Sequence, residues 1–270
     1  VSALEARGLG AGYGDRGVLD GLDVRIAEGE FTAIVGPNAC GKSTLLRSLA
    51  RLLPASAGSV LLDGRDIRRL PTRDVARRLG LLPQTSIAPD GITVFDLVAR
   101  GRFPHQSVLS GWSRRDEEAV RTAMRETDVE ALASRPVDEL SGGQRQRVWI
   151  AMVLAQQTPT VLLDEPTTFL DIGHQLEVLD LVSRLRDEGR TVVAVLHEIN
   201  HAARYATDLI VMRDGVVVAQ GPPADVLTAE TMADVFGVDA RIIADPDTGV
   251  PVMLPRAVAR RGAQVDTSAR

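Results

Sequence analysis

Three stretches of the chain are apolar at almost every position: 31-FTAIVG-36, 160-TVLLDE-165 and 191-TVVAVLH-197. Short runs without polar alternation predict strands buried on both faces, as in a parallel sheet. Between the last two, 174-HQLEVLDLVSRLRDEG-189 predicts a helix. Strand, helix and strand make a βαβ unit, and with it an α/β core. A second helix is expected from Lys42, where Leu45, Leu46, Leu49, Leu52 and Leu53 share one face and Pro54 stops the run. Residues 3–14 and 18–26 read as short strands broken by glycine, with a turn at 27-AEGE-30. Residues 58–64 read as an edge strand. From about Thr93 to Thr158 the pattern is mostly helical, and Ser113 with Asp116 and Glu117 predicts a capped helix start for 114–128. Residues 209–221 predict two strands around an Asp-Gly turn, and the arginine-rich segment 256–270 a frayed tail.

Composition narrows the function classes. The chain has 270 residues and a net charge of −5, which argues against a nucleic-acid partner. Its one cysteine, Cys40, excludes an internal disulfide and fits a reducing compartment. No apolar run approaches the ~18 residues of a membrane span, and the first residues lack a signal-peptide pattern. A cytoplasmic protein is expected, with any membrane role supplied by a separate partner.

Lys42 is the only lysine among 31 basic residues. It sits in 36-GPNACGKST-44, which fits the phosphate-loop pattern G-x-x-x-x-G-K-[ST]. Gly36 and Gly41 allow the tight turn. The backbone N–H groups of Pro37-flanked Asn38, Ala39 and Cys40, and those at the helix start through Thr44, are placed to curl around phosphate oxygens. Ser43 offers a hydroxyl to Mg²⁺. A compact ammonium fits inside such a loop where a planar guanidinium does not. Ala39 stands where many phosphate loops have glycine, and an ordinary negative φ is expected there. Cys40 reads as a small packed residue, or as a thiol whose pKa the helix start and phosphate lower.

Two further motifs follow. The segment 140-LSGGQRQR-147 holds no acid, base or metal ligand, but Ser141, Gly142, Gly143 and Gln144 open a helix and make a second anion-binding start. The segment 161-VLLDEP-166 is an apolar strand ending in two carboxylates, Asp164 for Mg²⁺ and Glu165 to polarise an attacking water.

In this order the motifs resemble the nucleotide-binding subunit of an ABC transporter, over residues 1–240. The resemblance implies a P-loop NTPase core with an N-terminal antiparallel β subdomain and an inserted α-helical subdomain. The divisions expected are 1–87, 88–158 with the signature motif, 159–240 for the rest of the core, and 241–270 for a hairpin and tail. It implies ATP and Mg²⁺ as cofactors and a head-to-tail dimer in which the signature motif of one subunit closes over ATP held by the other. Tyr13 matches the adenine-stacking aromatic, Gln84 the Mg²⁺-sensing glutamine facing the membrane partner, Asp171 the aspartate of the loop after Glu165, and His197 the histidine that contacts the γ-phosphate. His105, His174 and His201 match nothing and read as surface or packing residues. The segments 100–120, 162–179 and 196–215 resemble importers of ferric siderophores and cobalamin. The resemblance thus implies an ATPase at the cytoplasmic membrane face that energises import of ferric siderophores, serving two permease subunits and, indirectly, a substrate-binding protein. Cobalamin or haem import, and a non-transport ATPase of iron–sulfur assembly type, are the alternatives. Exposed apolar groups among Ile92, Phe95, Phe103 and Trp112 would mark a permease-docking surface; burial of Phe95 and Trp112 would make them packing residues.

Overall fold

The computed structural model describes residues 2–106 and 111–258. Along the chain, β1 (Ser2–Tyr13), β2 (Arg16–Ala27) and β3 (Phe31–Val35) lead into α1 (Lys42–Leu49). Next come β4 (Ala57–Leu62), β5 (Arg65–Asp66), α2 (Thr72–Ala76) and β6 (Leu79–Leu82). A helical segment follows with α3 (Val94–Ala99), α4 (Arg114–Glu126) and α5 (Gly142–Ala155). The chain returns through β7 (Thr160–Asp164), α6 (Ile172–Asp187), β8 (Thr191–Val195), α7 (Ile199–Tyr205), β9 (Asp208–Arg213) and β10 (Val216–Gly221), and closes with the hairpin of β11 (Val238–Ala244) and β12 (Pro251–Val258).

The three apolar stretches become β3, β7 and β8, side by side in a six-stranded sheet of order β10-β9-β3-β8-β7-β6. All its strands are parallel except β10, which turns back on β9. The period of two in each strand divides the interior into two cores. Ala33, Leu163, Ala194 and Val211 face the core built with α5, α6 and α7. Ile34, Leu162, Val193 and Ile210 face the other, which holds Leu45, Leu46 and Leu49 of α1 and the inner side of the antiparallel sheet β2-β1-β4-β5. This is the α/β P-loop NTPase core with an antiparallel subdomain and a helical insertion that the motifs imply.

Four expectations change. The strand expected at an edge, β4, lies between β1 and the two-residue β5. The N-terminal strands are not short: β1 runs for 12 residues through Gly8, Gly10 and Gly12, and its pairing slips register around them. Glycine here makes bulges rather than strand ends. Helix α1 stops at Leu49, before Pro54. Arg51 takes φ 59° and donates to the carbonyls of Ile67 and Leu70, and Leu52 swings out to 65% exposure. At the other end, residues 256–258 are not frayed but lie in β12; the expected tail at 259–270 lies outside the described residues.

The helical segment is pinned by a buried charge. Arg102, 2% exposed, donates from Nε to Asp116 Oδ1 at 2.9 Å, and from one terminal nitrogen to the Ala155 carbonyl at 2.8 Å and Gln157 Oε1 at 2.9 Å. Burial pushes the Asp116 carboxyl up, but hydrogen bonds from Ser113 and Arg102 outweigh it and leave it below its ordinary value. Asp116 is also the partner of Ser113 in the capping box that starts α4. Its contribution is therefore complete above the unfolded aspartate pKa of about 3.9 and is lost as pH falls through the lower folded value. Arg102→Ala strands this carboxylate and should destabilise the protein by about 3–5 kcal/mol. A denaturant midpoint equal to wild type would show that the pair holds nothing.

Candidate active site

The loop between β3 and α1 turns where only glycine fits. At Gly36 φ is 154°, and a Cβ would lie 2.3 Å from the Met212 carbonyl oxygen; at Gly41 φ is 106°, and a Cβ would lie 2.9 Å from Leu19 Cδ2. Ala39 departs from expectation. Its φ is 63°, not negative, a conformation that costs an L-residue about 1–2 kcal/mol. The flanking contacts impose it: Cys40 is 3% exposed in the core below the loop, and its carbonyl accepts the Gly215 N–H at 3.0 Å. Burial also pushes the Cys40 thiol above its ordinary pKa, outweighing the lowering effect of Lys42, which fits the small packed residue rather than the alternative of an activated thiol. Lys42 is 5% exposed, and its Nζ donates to the carbonyls of Gly36 at 2.9 Å and Pro37 at 2.8 Å.

The carboxyl ends of β6, β7 and β8 converge beside this loop, where open α/β sheets place their ligands. Ser43 Oγ, one residue past Lys42, donates to Asp164 Oδ1 at 2.8 Å. Asp164 is almost fully buried at the end of β7. That burial raises its pKa despite the Ser43 bond and the Arg47 guanidinium 3.9 Å away. The next residue, Glu165, has φ 55° and turns its carboxylate into a three-sided clamp. Gln84 Nε2 donates to Oε2 at 2.8 Å, Thr168 Oγ1 donates to Oε2 at 3.1 Å, and His197 Nε2 meets Oε1 at 2.7 Å. Burial pushes Glu165 up, yet the His197 contact and the two hydrogen bonds outweigh it and hold the carboxyl below its usual value. The adjacent carboxylates are thus shifted in opposite directions.

The other motif residues lie around this centre. Tyr13 ends β1, half exposed, and its hydroxyl accepts from Arg47 at 3.3 Å. Ser141 caps α5: its Oγ accepts the Gln144 N–H at 3.3 Å, and Gln144 Oε1 accepts the Ser141 N–H at 3.2 Å. Gly142 and Gly143 follow in the first turn, whose N–H groups have no intrahelical partner. Asp171 caps α6 and binds His174. Among the described residues, no hydrogen bond joins Ser141–Gln144 to the loop of Lys42. Arg47 and Thr168 were not singled out from sequence. Thr168 lies three residues past Glu165, a spacing that lets its hydroxyl reach back, and Arg47 one helical turn past Ser43.

Known proteins place the chain in a family. The ABC transporter family matches residues 19–168. The ferric enterobactin transport ATP-binding protein FepC of Escherichia coli (strain K12) is 52% identical over 256 residues, covering 94% of each chain. A siderophore transport system ATP-binding protein, YusV, of Bacillus subtilis (strain 168) is 50% identical, covering 94% of this chain and 93% of that one. Among solved structures, an inward-facing ABC transporter described as metal-chelate type superposes with a TM-score of 0.81 at 26% identity, covering 95% of this chain and 98% of that one. A dimeric bacterial ABC transporter cassette superposes at 0.72 with 28% identity, covering 81% and 98%. The chain belongs to the ABC transporter family and is one of its ATPase subunits.

Proposed function

We propose that this ATPase energises import of a ferric siderophore, as a head-to-tail homodimer on the cytoplasmic face of the membrane. The observation that carries the chemistry is the clamp on Glu165, set beside the Ser43–Asp164 pair and the loop of Lys42. The cargo reading rests on relatives. Relatives named for ferric enterobactin, siderophore, achromobactin, iron(3+)-hydroxamate and petrobactin transport share 43–52% identity, five of the six at 46% or more, against 42–43% for hemin import proteins of Rhodococcus jostii and Nocardia farcinica.

The residues present fit a magnesium nucleotide. A loop in which a Cβ at either glycine would strike protein atoms leaves backbone N–H groups free to approach phosphate. A hydroxyl with one buried carboxylate is the protein's usual share of a Mg²⁺ site completed by phosphates and water. Ser43, Asp164 and Gln84 would hold the ion, which when bound neutralises and orients phosphate oxygens. The backbone of Gly36–Thr44 and Lys42 Nζ hold the phosphates, and Tyr13 stacks on the base. Glu165, kept ionised by its clamp, accepts the proton of the attacking water, and His197 fixes the carboxylate and meets the γ-phosphate. Ser141, Gly142, Gly143, Gln144 and Asp171 act on the nucleotide of the second subunit.

Residues 88–158 serve as the coupling unit. No helix among the described residues is long and apolar enough to cross a membrane; the membrane path is assigned to two permease subunits, as the import relatives suggest. A groove beside Gln84 offers them a seat, lined by Ile87, Pro89, Asp138, Arg145 and Trp149. Ile87 is 85% exposed, and the buried indole N–H of Trp149 has no hydrogen-bond partner. Phe103 is exposed as expected, while Phe95 packs against the core and meets the half-exposed Trp112 edge-on at 6.1 Å.

A deletion strain complemented with wild type or Glu165→Gln tests the cargo. Uptake of labelled ferric siderophore should return only with wild type, and uptake of hemin and cobalamin should not depend on the gene. If hemin or cobalamin uptake fails instead, the ATPase reading stands and the siderophore falls.

A further inference from the structure

His174 matched no motif, yet it sits between two of them. Its Nδ1 meets Asp171 Oδ1 at 2.7 Å, and the same oxygen accepts its backbone N–H at 2.9 Å. With Asp171 ionised, Nδ1 carries the proton and donates it. The opposite side of the ring lies on the first turn of α5: a Cβ added to Gly143 would be 2.6 Å from His174 Cδ2 and 3.0 Å from Cγ. The imidazole is therefore held by the carboxylate that caps α6 and seated on Gly143 in the first turn of α5.

A second tie joins the same two helices one turn further on. Arg147 of α5 donates to Glu177 Oε2 of α6 at 2.5 Å. Residues 143 and 147 on one helix thus meet 174 and 177 on the other, and the two helix starts are kept in step. A histidine that only filled surface would not need both a fixed ring edge and a partner backbone too close for any side chain.

We propose that His174 is a positioning residue that locks Asp171 to the Gly142–Gly143 turn, so that both reach the partner subunit's nucleotide as one rigid piece. The inference rests on the head-to-tail dimer reading. Without the imidazole, the two segments approach the second subunit independently, and the closed dimer loses the advantage of a prearranged surface. Binding of nucleotide to the subunit's own phosphate loop involves neither segment and is left alone.

The test uses the full chain in the Glu165→Gln background, where the dimer reading expects closed dimers to accumulate with ATP. Sedimentation gives the dimer dissociation constant for that parent and for added His174→Ala, His174→Asn and His174→Phe. Asparagine can present an N–H donor near the position of Nδ1, and phenylalanine keeps the ring without the donor. His174→Ala and His174→Phe should weaken the dimer about tenfold or more, His174→Asn should recover most of it, and the melting temperature and monomer affinity for ATP should stay at parental values. With Glu165 intact, His174→Ala should lower kcat in the permease complex without raising KM. The proposal fails if His174→Ala or His174→Phe dimerises like the parent. It fails equally if His174→Asn is no better than alanine, or if dimer loss is matched by lost monomer affinity or lower melting temperature. Should alanine not fold, the phenylalanine and asparagine variants decide alone. A parent that forms no ATP-dependent dimer would bring down the dimer reading, and this inference with it.

Discussion

Glu165→Gln is expected to cut ATP turnover by about 10²–10⁴-fold, the usual loss when a general base is removed. The reason is visible in the clamp. Gln84, Thr168 and His197 all spend contacts on the two carboxylate oxygens, and together they hold the carboxyl below its ordinary pKa. The group is thus ionised throughout the neutral range and positioned with little freedom. Glutamine keeps the shape and an acceptor oxygen but has no charge with which to draw a proton from water. The loop of Lys42 and the Ser43–Asp164 pair are untouched, so the variant should bind ATP as tightly as wild type. On the proposed head-to-tail dimer, in which nucleotide closes the pair and hydrolysis reopens it, the variant should also accumulate as a dimer. Steady-state phosphate release and size-exclusion chromatography with ATP read the two effects. Turnover at the wild-type rate would remove Glu165 from the mechanism. Loss of turnover together with loss of ATP affinity would make it a binding residue instead.

Much of this architecture was legible because the central strands β3, β7 and β8 are short, unbroken apolar runs, whereas the four-residue β6, Leu79–Leu82, carries too short a pattern to stand out. The phosphate loop, the capping box at Ser113, the glycine-led helix start at Ser141 and the pair Asp164–Glu165 are contiguous motifs, so spacing alone placed them on strand ends and helix starts. What the sequence hid were features set by distant neighbours. The positive φ of Ala39 follows from the burial of Cys40 and the contact of its carbonyl with Gly215, far along the chain. The early end of α1 follows from Arg51, whose guanidinium reaches across to Ile67 and Leu70. His174 is the sharpest case. Its partner Asp171 is three residues away and could have been found by helix-cap spacing, but its contact with Gly143 exists only because the fold brings the starts of α5 and α6 together. Glu165 itself was found from sequence, but the opposite shifts of Asp164 and Glu165 were not. They depend on how deeply the fold buries Asp164, against the lowering effect of its Ser43 bond, and on the histidine and hydrogen-bond donors it sets around Glu165.

Lys42→Arg keeps the charge and should still lower kcat/KM for ATP by about 10²-fold, the scale of a misplaced catalytic contact. An ammonium has three donors. Two are committed to the carbonyls of Gly36 and Pro37 at 2.9 and 2.8 Å, which leaves one for a phosphate oxygen. That arrangement ties the charge to the loop that surrounds it, in a site where the side chain is almost wholly buried. A guanidinium is a wider planar fork, more rigid at its end, and cannot direct two donors backward and one forward within so small a space. Nor can the loop widen cheaply. The missing Cβ at Gly36 would already be 2.3 Å from the Met212 carbonyl and 2.8 Å from Cys40 Sγ, so the walls are backbone and a buried thiol rather than a mobile side chain. The arginine must then leave the loop, which frees two carbonyls and takes the charge away from the phosphates. Binding of a fluorescent ATP analogue should weaken in parallel with kcat/KM, while the melting temperature without nucleotide changes little, because the fold does not depend on phosphate contacts. An arginine variant with wild-type kcat/KM would show that charge alone matters at this position. The presence of the chain's only lysine among 30 arginines would then have no explanation in the geometry of the loop.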